Sequence, residues 1–524
     1  MNKKLAEALE ALQLIQERSS VVQANLLTRE HRELLKKSGF IELAYKSWYY
    51  IKPPHVKPGD TTPWMTSFWS FCQQYCNERF STAWHLSPED SLKWHSLNRT
   101  VPKQVLVLTQ EKSNKIVNLP FQTSLFPIFE KAFPSSNELQ EIDGIRVLSL
   151  EFALLNVLPD FFEKNVQLAQ QMLFKLDVEK MAILSIEKSK VRPIGRIIAG
   201  LKHIGLSEKG EDIASLLKRS NVNYREENPF QSNPEPLLFS ISSQTDPLSD
   251  RLVSMWSTMR NQMIDLTPAP LSNIDPAEFL EKMESIYVED AYHSLSIEGY
   301  LVTPELIEKV RNGTWKPEDD EEDKKHKNAL AARGYWLAFQ NVRDVVGQIV
   351  AGENASQKVA QHYRSWKELL FQPSVDAGII SPTSNIGFRR SAVFLSGSRH
   401  LPPRYENVSN GMETLMRLIQ KEENVFVKAT LGHFLLGYIH PFSDGNGRTA
   451  RFLMNTLLSE SPYPWTVVKV DDRKRYIEGL EMASTEGNII PFAELIAEEV
   501  KYALEKYITI VPLKNVKKKR FKRI

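Results

Sequence analysis

The 524-residue chain has only two cysteines, Cys72 and Cys76, so no disulfide framework can hold it together. Their i,i+4 spacing puts both on one face of a helix, where two buried packing thiols are a simpler expectation than a metal or redox pair. Long apolar runs are missing too. Nothing approaches the roughly 20 residues that span a bilayer, and the opening MNKKLAEALEALQLIQ is a charged amphipathic pattern rather than a signal sequence. These absences predict a cytoplasmic protein. The chain also lacks a strong charge of either sign, with a net charge of +2. It lacks the low hydrophobicity of disordered chains, since 42% of its residues are hydrophobic and 25% charged. No internal repeat or extended low-complexity tract stands out. At this length one core is insufficient, and two to four domains of roughly 100–200 residues are expected.

Leu5, Leu9, Leu12 and Gln16 recur at helical spacing, and a second helix is expected from Thr28, its N-cap, to Lys37, ended by Gly39. The segment from Phe40 to Ile51 is rich in β-branched and aromatic residues, breaks at Lys46-Ser47, and reads as a small hairpin. Helices followed by a hairpin predict a winged-helix-like domain over residues 1–60. This order resembles the N-terminal part of the abortive-infection antitoxin family, which implies an α/β sensor-like or antitoxin-like region over 61–220. If the first domain contacts duplex DNA, Arg29, His31, Arg32, Lys36 and Lys37 face phosphates and Lys46 sits on the wing. Against this, residues 1–60 hold ten Lys or Arg and seven Asp or Glu, a charge of only +3. A solvated helix face with a buried hairpin stays open as the alternative.

Pro229, Pro234, Pro236 and Pro247 forbid a continuous helix between Ser220 and Arg251, so 221–250 is expected to be the main linker. From Leu252 the patterns are mostly helical, interrupted by an acidic stretch from Glu318 to Asp323 and a strand-like segment near Val393. The next domain is expected over 251–510, followed by a basic tail at 511–524. Seven positive charges lie in the last eleven residues, which leaves −5 of the net +2 for the rest of the chain. A solvated end or contact with an acidic surface or nucleic acid both fit such a tail.

The chemistry concentrates in HPFSDGNGRTAR, from His440 to Arg451, between the apolar runs LGHFLLGYI and FLMNTLL. It reads as helix, loop, helix. Gly445, Asn446 and Gly447 give an unhindered backbone whose N–H groups can converge on phosphate oxygens at the positive start of the second helix. Arg448 and Arg451, three apart on that helix, can clamp a polyphosphate with forked hydrogen bonds. Asp444 offers a hard oxygen ligand for Mg²⁺, and His440 a base whose pKa lies near the working pH.

Every specified position of this string matches the Fic motif HxFx(D/E)GNGRxxR, and the segment resembles the Fic family of AMP-transferases. The resemblance implies His440 as general base, Asp444 as metal ligand, Asn446 as an anion-site contact, and Arg448 and Arg451 as polyphosphate clamps. Two flanking segments resemble the same family. FRRSAVFLSGSRHLPP, from Phe388 to Pro403, looks like its flap hairpin, with Val393, Phe394 and Leu395 as the edge on which a target segment docks. Arg473 to Leu480 resembles its adenine-side helix, where paired tyrosines are replaced here by Tyr476-Ile477. Upstream, SLSIEGY from Ser294 to Tyr300 matches the inhibitory motif (S/T)xxxE(G/N) at Ser294, Glu298 and Gly299. By that likeness Glu298 pairs with Arg451 where a γ-phosphate belongs.

The expected fold class is mainly α: a Fic-type helical domain with a small flap hairpin, preceded by a winged-helix-like and α/β N-terminal region. The resemblance implies an autoinhibited protein adenylyltransferase. It would move AMP from ATP, with Mg²⁺, to a Ser, Thr or Tyr hydroxyl of a target protein and release pyrophosphate. Self-modification and DNA contact are further expectations; membrane contact is not. Two other readings stay open: hydrolytic removal of AMP, with Glu298 orienting water, and a nucleotide-sensing DNA-binding regulator.

Overall fold

The computed structural model describes residues 3–54, 56, 60–230, 246–271, 275–315, 323–461 and 463–509. The basic tail at 511–524, the linker between 231 and 245, and the acidic stretch up to Glu322 lie outside the described residues. The chain divides into two compact units, Met1–Met255 with Val393–Pro403, and Trp256–Ala392 with Arg404–Ile524.

The first unit opens with helices Lys3–Gln16 and Arg29–Lys37 and a hairpin of strands Ile41–Tyr45 and Trp48–Ile51. Thr28 caps the second helix, its hydroxyl accepting from the His31 N–H at 3.1 Å. Lys46 makes the hairpin turn with a φ of 48°. A short strand, Val21–Gln23, pairs antiparallel with Trp48–Tyr50 and completes a three-stranded sheet. Three residues carry too little periodicity to be read from sequence. Arg32, expected on a phosphate-facing side, is turned back on the chain, its Nη1 donating to the Ala24 carbonyl at 3.0 Å.

Helix Thr62–Phe80 buries Trp64, Phe68, Phe71, Cys72, Tyr75 and Cys76 at helical spacing. Both thiols are free, and burial pushes their pKa values above the ordinary thiol range. This core is shared with a four-stranded sheet in the order Trp84–Leu86, Gln104–Thr109, Ser124–Phe129, Val117–Asn118, whose two middle strands run parallel. A hairpin, Leu139–Ile142 with Ile145–Leu148, leads into helices from Leu150 to Arg219 around a second core.

One expectation is corrected here. No strand forms among residues 388–403, so the expected flap hairpin has no ladder of its own at Val393, Phe394 and Leu395. The turn is present, with Ser398 N–H on the Leu395 carbonyl, but the returning arm pairs elsewhere: the Arg399 carbonyl accepts from Val101 N–H at 2.9 Å, and Leu401 packs on the first unit's core. Pro402 and Pro403 have no N–H to give to a ladder.

The second unit is helical throughout its described secondary structure. Its long antiparallel neighbours are Asp323–Val350 and Ala355–Asp376, and its centre is helix Val425–Ile439, in which nearly every residue is buried. A helix apolar on all faces must sit inside, and its C-terminal end is thereby fixed among neighbours. Among the described residues, no helix is long and apolar enough to cross a membrane.

Candidate active site

Helix Val425–Ile439 stops because His440 takes the left-handed conformation, φ 52° and ψ 60°. A residue with a Cβ holds that conformation only where its surroundings compel it. Arg389 supplies the constraint: its Nε donates to the His440 carbonyl at 2.8 Å and its backbone N–H to the Pro441 carbonyl at 2.9 Å. The following helix, Asn446–Leu458, starts at Gly445, which is left-handed with φ 86°. Asn446 closes the loop between the helices, its Oδ1 accepting from Phe442 N–H at 3.0 Å and its Nδ2 donating to the Phe442 carbonyl at 2.8 Å. The side chain expected to contact an anion is therefore engaged in holding the loop. Asn446→Ala leaves two buried backbone groups of Phe442 without partners and is expected to lower stability by about 1–3 kcal/mol, measurable by denaturant unfolding.

His440 is half-buried, and its Nδ1 lies 3.2 Å from the Gly437 carbonyl. A carbonyl only accepts, so Nδ1 carries the proton and Nε2 keeps its lone pair. Burial lowers the pKa to about 4; the Gly437 bond opposes this, Arg389 adds to it, and the Glu298 and Asp444 carboxylates oppose it. At neutral pH the ring is an unprotonated base. Asp444 is exposed, with Oδ1 accepting from Gly445 N–H at 2.5 Å and lying 3.4 Å from Arg448 Nη2.

Arg448 is 1% exposed, its guanidinium 5.1 Å from the Tyr300 ring centroid and 5.0 Å from that of Phe371. Its Nε and Nη1 have no hydrogen-bond partner. Buried charged donors are seldom left unsatisfied, and two on one guanidinium can serve an anion. Arg451, also buried, is fully engaged: Nε donates to Ser294 Oγ at 2.9 Å, Nη2 to the Ser294 carbonyl at 3.0 Å and to Glu298 Oε1 at 2.8 Å, and Nη1 to Tyr476 Oη at 3.3 Å. Burial opposes the charge on Arg451, yet Tyr476 and Glu298 hold its pKa above the ordinary arginine value. Burial likewise raises Glu298, and the charges of Arg451 and Arg448 outweigh it and keep the carboxylate ionised. A Cβ at Gly447 would lie 2.3 Å from Glu298 Oε1 and 3.3 Å from Arg451 Nη1, so any other residue there would have to displace the ion pair's side-chain ends.

The structure thus gathers His440, Asp444, Gly445, Gly447, Arg448, Arg451, Ser294 and Glu298 around one loop. Gly299 follows Glu298 with φ 85° and turns the chain out of the Tyr287–Ile297 helix. Tyr476 is buried against Arg451, while Ile477 is 42% exposed. Sequence reasoning missed Arg389, Tyr300, Phe371 and His433. Only His433 carried a local signal, as a titratable side chain inside the apolar run LGHFLLGYI.

Residues 359–458 match the Fic/DOC family. This segment is similar to that family over about 100 residues. The chain is 30% identical over 278 residues to the protein adenylyltransferase Fic of Drosophila mojavensis, a match covering 51% of each chain. To that of Aedes aegypti it is 29% identical over 279 residues, covering 51% of this chain and 52% of the relative. The chain spans about half the length of the curated relatives it matches. Among solved structures, Fic-1 of C. elegans (residues 134–508) is 16% identical, with 66% of this chain and 92% of that chain covered at a TM-score of 0.37. A Fic domain containing signaling protein from Bacteroides thetaiotaomicron is 17% identical, with 50% and 96% covered at a TM-score of 0.36. The matched segment contains the His440–Arg451 loop, while Glu298 and Ser294 come from outside it.

Proposed function

We propose that the protein is an adenylyltransferase that moves AMP from ATP to a hydroxyl of a target protein and is held off by its own Glu298. The observation that carries this reading is the contrast between the two arginines of one helix: Arg448 has buried donors without partners, and Arg451 has a carboxylate on it. A polyphosphate satisfies the first and must displace the second. The relatives named protein adenylyltransferase support the same reaction class.

In this reading the triphosphate lies along the backbone N–H groups that begin the Asn446–Leu458 helix, with its terminal phosphates on Arg448 and Arg451. His440 Nε2 takes the proton of the attacking hydroxyl. The hydroxyl oxygen bonds to the α-phosphorus, the bond from that phosphorus to the bridging oxygen breaks, and pyrophosphate leaves with the electron pair. Asp444 has the exposure and the hard oxygen donors to hold Mg²⁺, which supplies charge neutralisation on the phosphates when bound. Glu298, while paired with Arg451, occupies the position of the γ-phosphate and keeps the α-phosphorus out of line.

Because His440 is unprotonated above about 4 and Glu298→Gly removes a carboxylate that raises that pKa, the acid limb of kcat/KM is expected at or below that pH and not near 6.5. The sign follows from the depressed pKa: the base form persists down to about 4 and is lost as pH falls through it. A pH profile of transfer by the Glu298→Gly protein checks this. Incubating that variant with α-labelled ATP and a lysate, then identifying labelled bands by mass spectrometry, tests the function itself. Retention of label by no protein under any ATP and Mg²⁺ concentration would overturn the assignment.

A further inference from the structure

Arg451 is gripped from two sides, and only one of them is the inhibitory segment. On that side Ser294 and Glu298 belong to the Tyr287–Ile297 helix and its C-cap. On the other, Nη1 lies 3.3 Å from the Tyr476 hydroxyl oxygen, which in turn lies 2.9 Å from His433 Nε2. Tyr476 comes from helix Arg473–Glu486 and His433 from helix Val425–Ile439. All three side chains are buried, at 4%, 3% and 1% exposure for Arg451, Tyr476 and His433.

The proton positions follow from what each group can do. A guanidinium only donates, so the tyrosine oxygen accepts from Arg451 and its single proton goes to His433 Nε2, which must carry the lone pair. The ring proton is then on Nδ1, which has no hydrogen-bond partner. The imidazole stacks on Phe492, 5.2 Å between centroids with an interplanar angle of 29°. Packing alone would be served as well by phenylalanine, without an unsatisfied buried N–H that costs stability. Burial, reinforced by the nearby Arg451 charge, lowers the His433 pKa to about 3, so the ring stays neutral and able to accept.

We infer that His433 and Tyr476 form a positioning relay that keeps the Arg451 guanidinium aimed at the anion site when the inhibitory segment lets go. The inference rests on the reading of this loop as an ATP site. Three of the four hydrogen bonds made by the Arg451 guanidinium end on Ser294 or Glu298, so displacement of their helix releases them together. The relay sits on separate helices and remains. Tyr476 then serves the nucleotide through Arg451 rather than by contact with the base.

The test is ATP binding by calorimetry, which needs no turnover, in the Glu298→Gly chain. Adding Tyr476→Phe or His433→Phe is expected to raise the Kd for ATP by about fivefold to tenfold. The two together cost no more than either alone, because they break one chain of bonds. His433→Gln, whose Oε1 replaces Nε2 as acceptor, is expected to stay within about twofold of its parent. An unchanged Kd for Tyr476→Phe, or losses that add, overturns the relay. If the Glu298→Gly chain binds no ATP, the proposed function fails, and the relay is judged in the unliganded protein. There, Tyr476→Phe should lower the unfolding midpoint more with Arg451 present than beside Arg451→Ala; an equal lowering overturns the relay.

Discussion

Under the proposed function, Glu298→Gly is expected to increase AMP transfer by at least about tenfold, first as self-labelling, since the chain's own hydroxyls are at high effective concentration. In the proposed function the carboxylate and a γ-phosphate compete for one guanidinium, which lies 2.8 Å from Glu298 Oε1. A charged hydrogen bond of this kind contributes roughly 1.5–3 kcal/mol, or about tenfold to a hundredfold in occupancy. The substitution leaves Arg451 in place, because Ser294 and Tyr476 still hold it. It also removes the obstacle beside Gly447. Arg451→Ala should not be activated by the same change, since the clamp is lost with the inhibitory partner. Labelling no better than wild type across a range of ATP and Mg²⁺ would remove the autoinhibitory role. Loss of an AMP-removing activity on pre-modified protein would give precedence to hydrolysis, with Glu298 orienting water.

His440→Ala, made in the Glu298→Gly chain, is expected to reduce transfer by about 10²- to 10⁴-fold while ATP affinity changes little. In the proposed reaction the base acts on the target hydroxyl, and its Nε2 takes no part in holding phosphate. Its left-handed backbone is a second consideration, because alanine must adopt the same φ of 52°. Arg389, bonded to the backbone carbonyls of His440 and Pro441, does not depend on the imidazole and keeps the turn. Single-turnover transfer and calorimetry on the same preparation separate the two quantities. A variant that labels protein at the parental rate would exclude His440 as the base, and one that loses ATP binding would show that the loop itself had collapsed.

The contiguous motif was legible from sequence because its parts are local. The glycines of the loop, the helix start behind them, and two arginines three residues apart all follow from helical geometry over twelve residues. The two thiols on one helix face and the hairpin at 40–51 were readable for the same reason. Glu298, 153 residues before Arg451, came to notice only through family likeness, since no period links residues that far apart. What tertiary structure alone decided is which polar groups find partners. Packing left Arg448 with bare donors, spent Asn446 on the Phe442 backbone, and set Tyr476 and His433 behind Arg451. It also drew the arm after Gly397 to Val101 rather than back along Val393–Leu395, so the expected hairpin did not form. Sequence spacing determines which side chains share a face of one element; which face meets which, and so which charge is satisfied, depends on how buried elements from distant parts of the chain pack together.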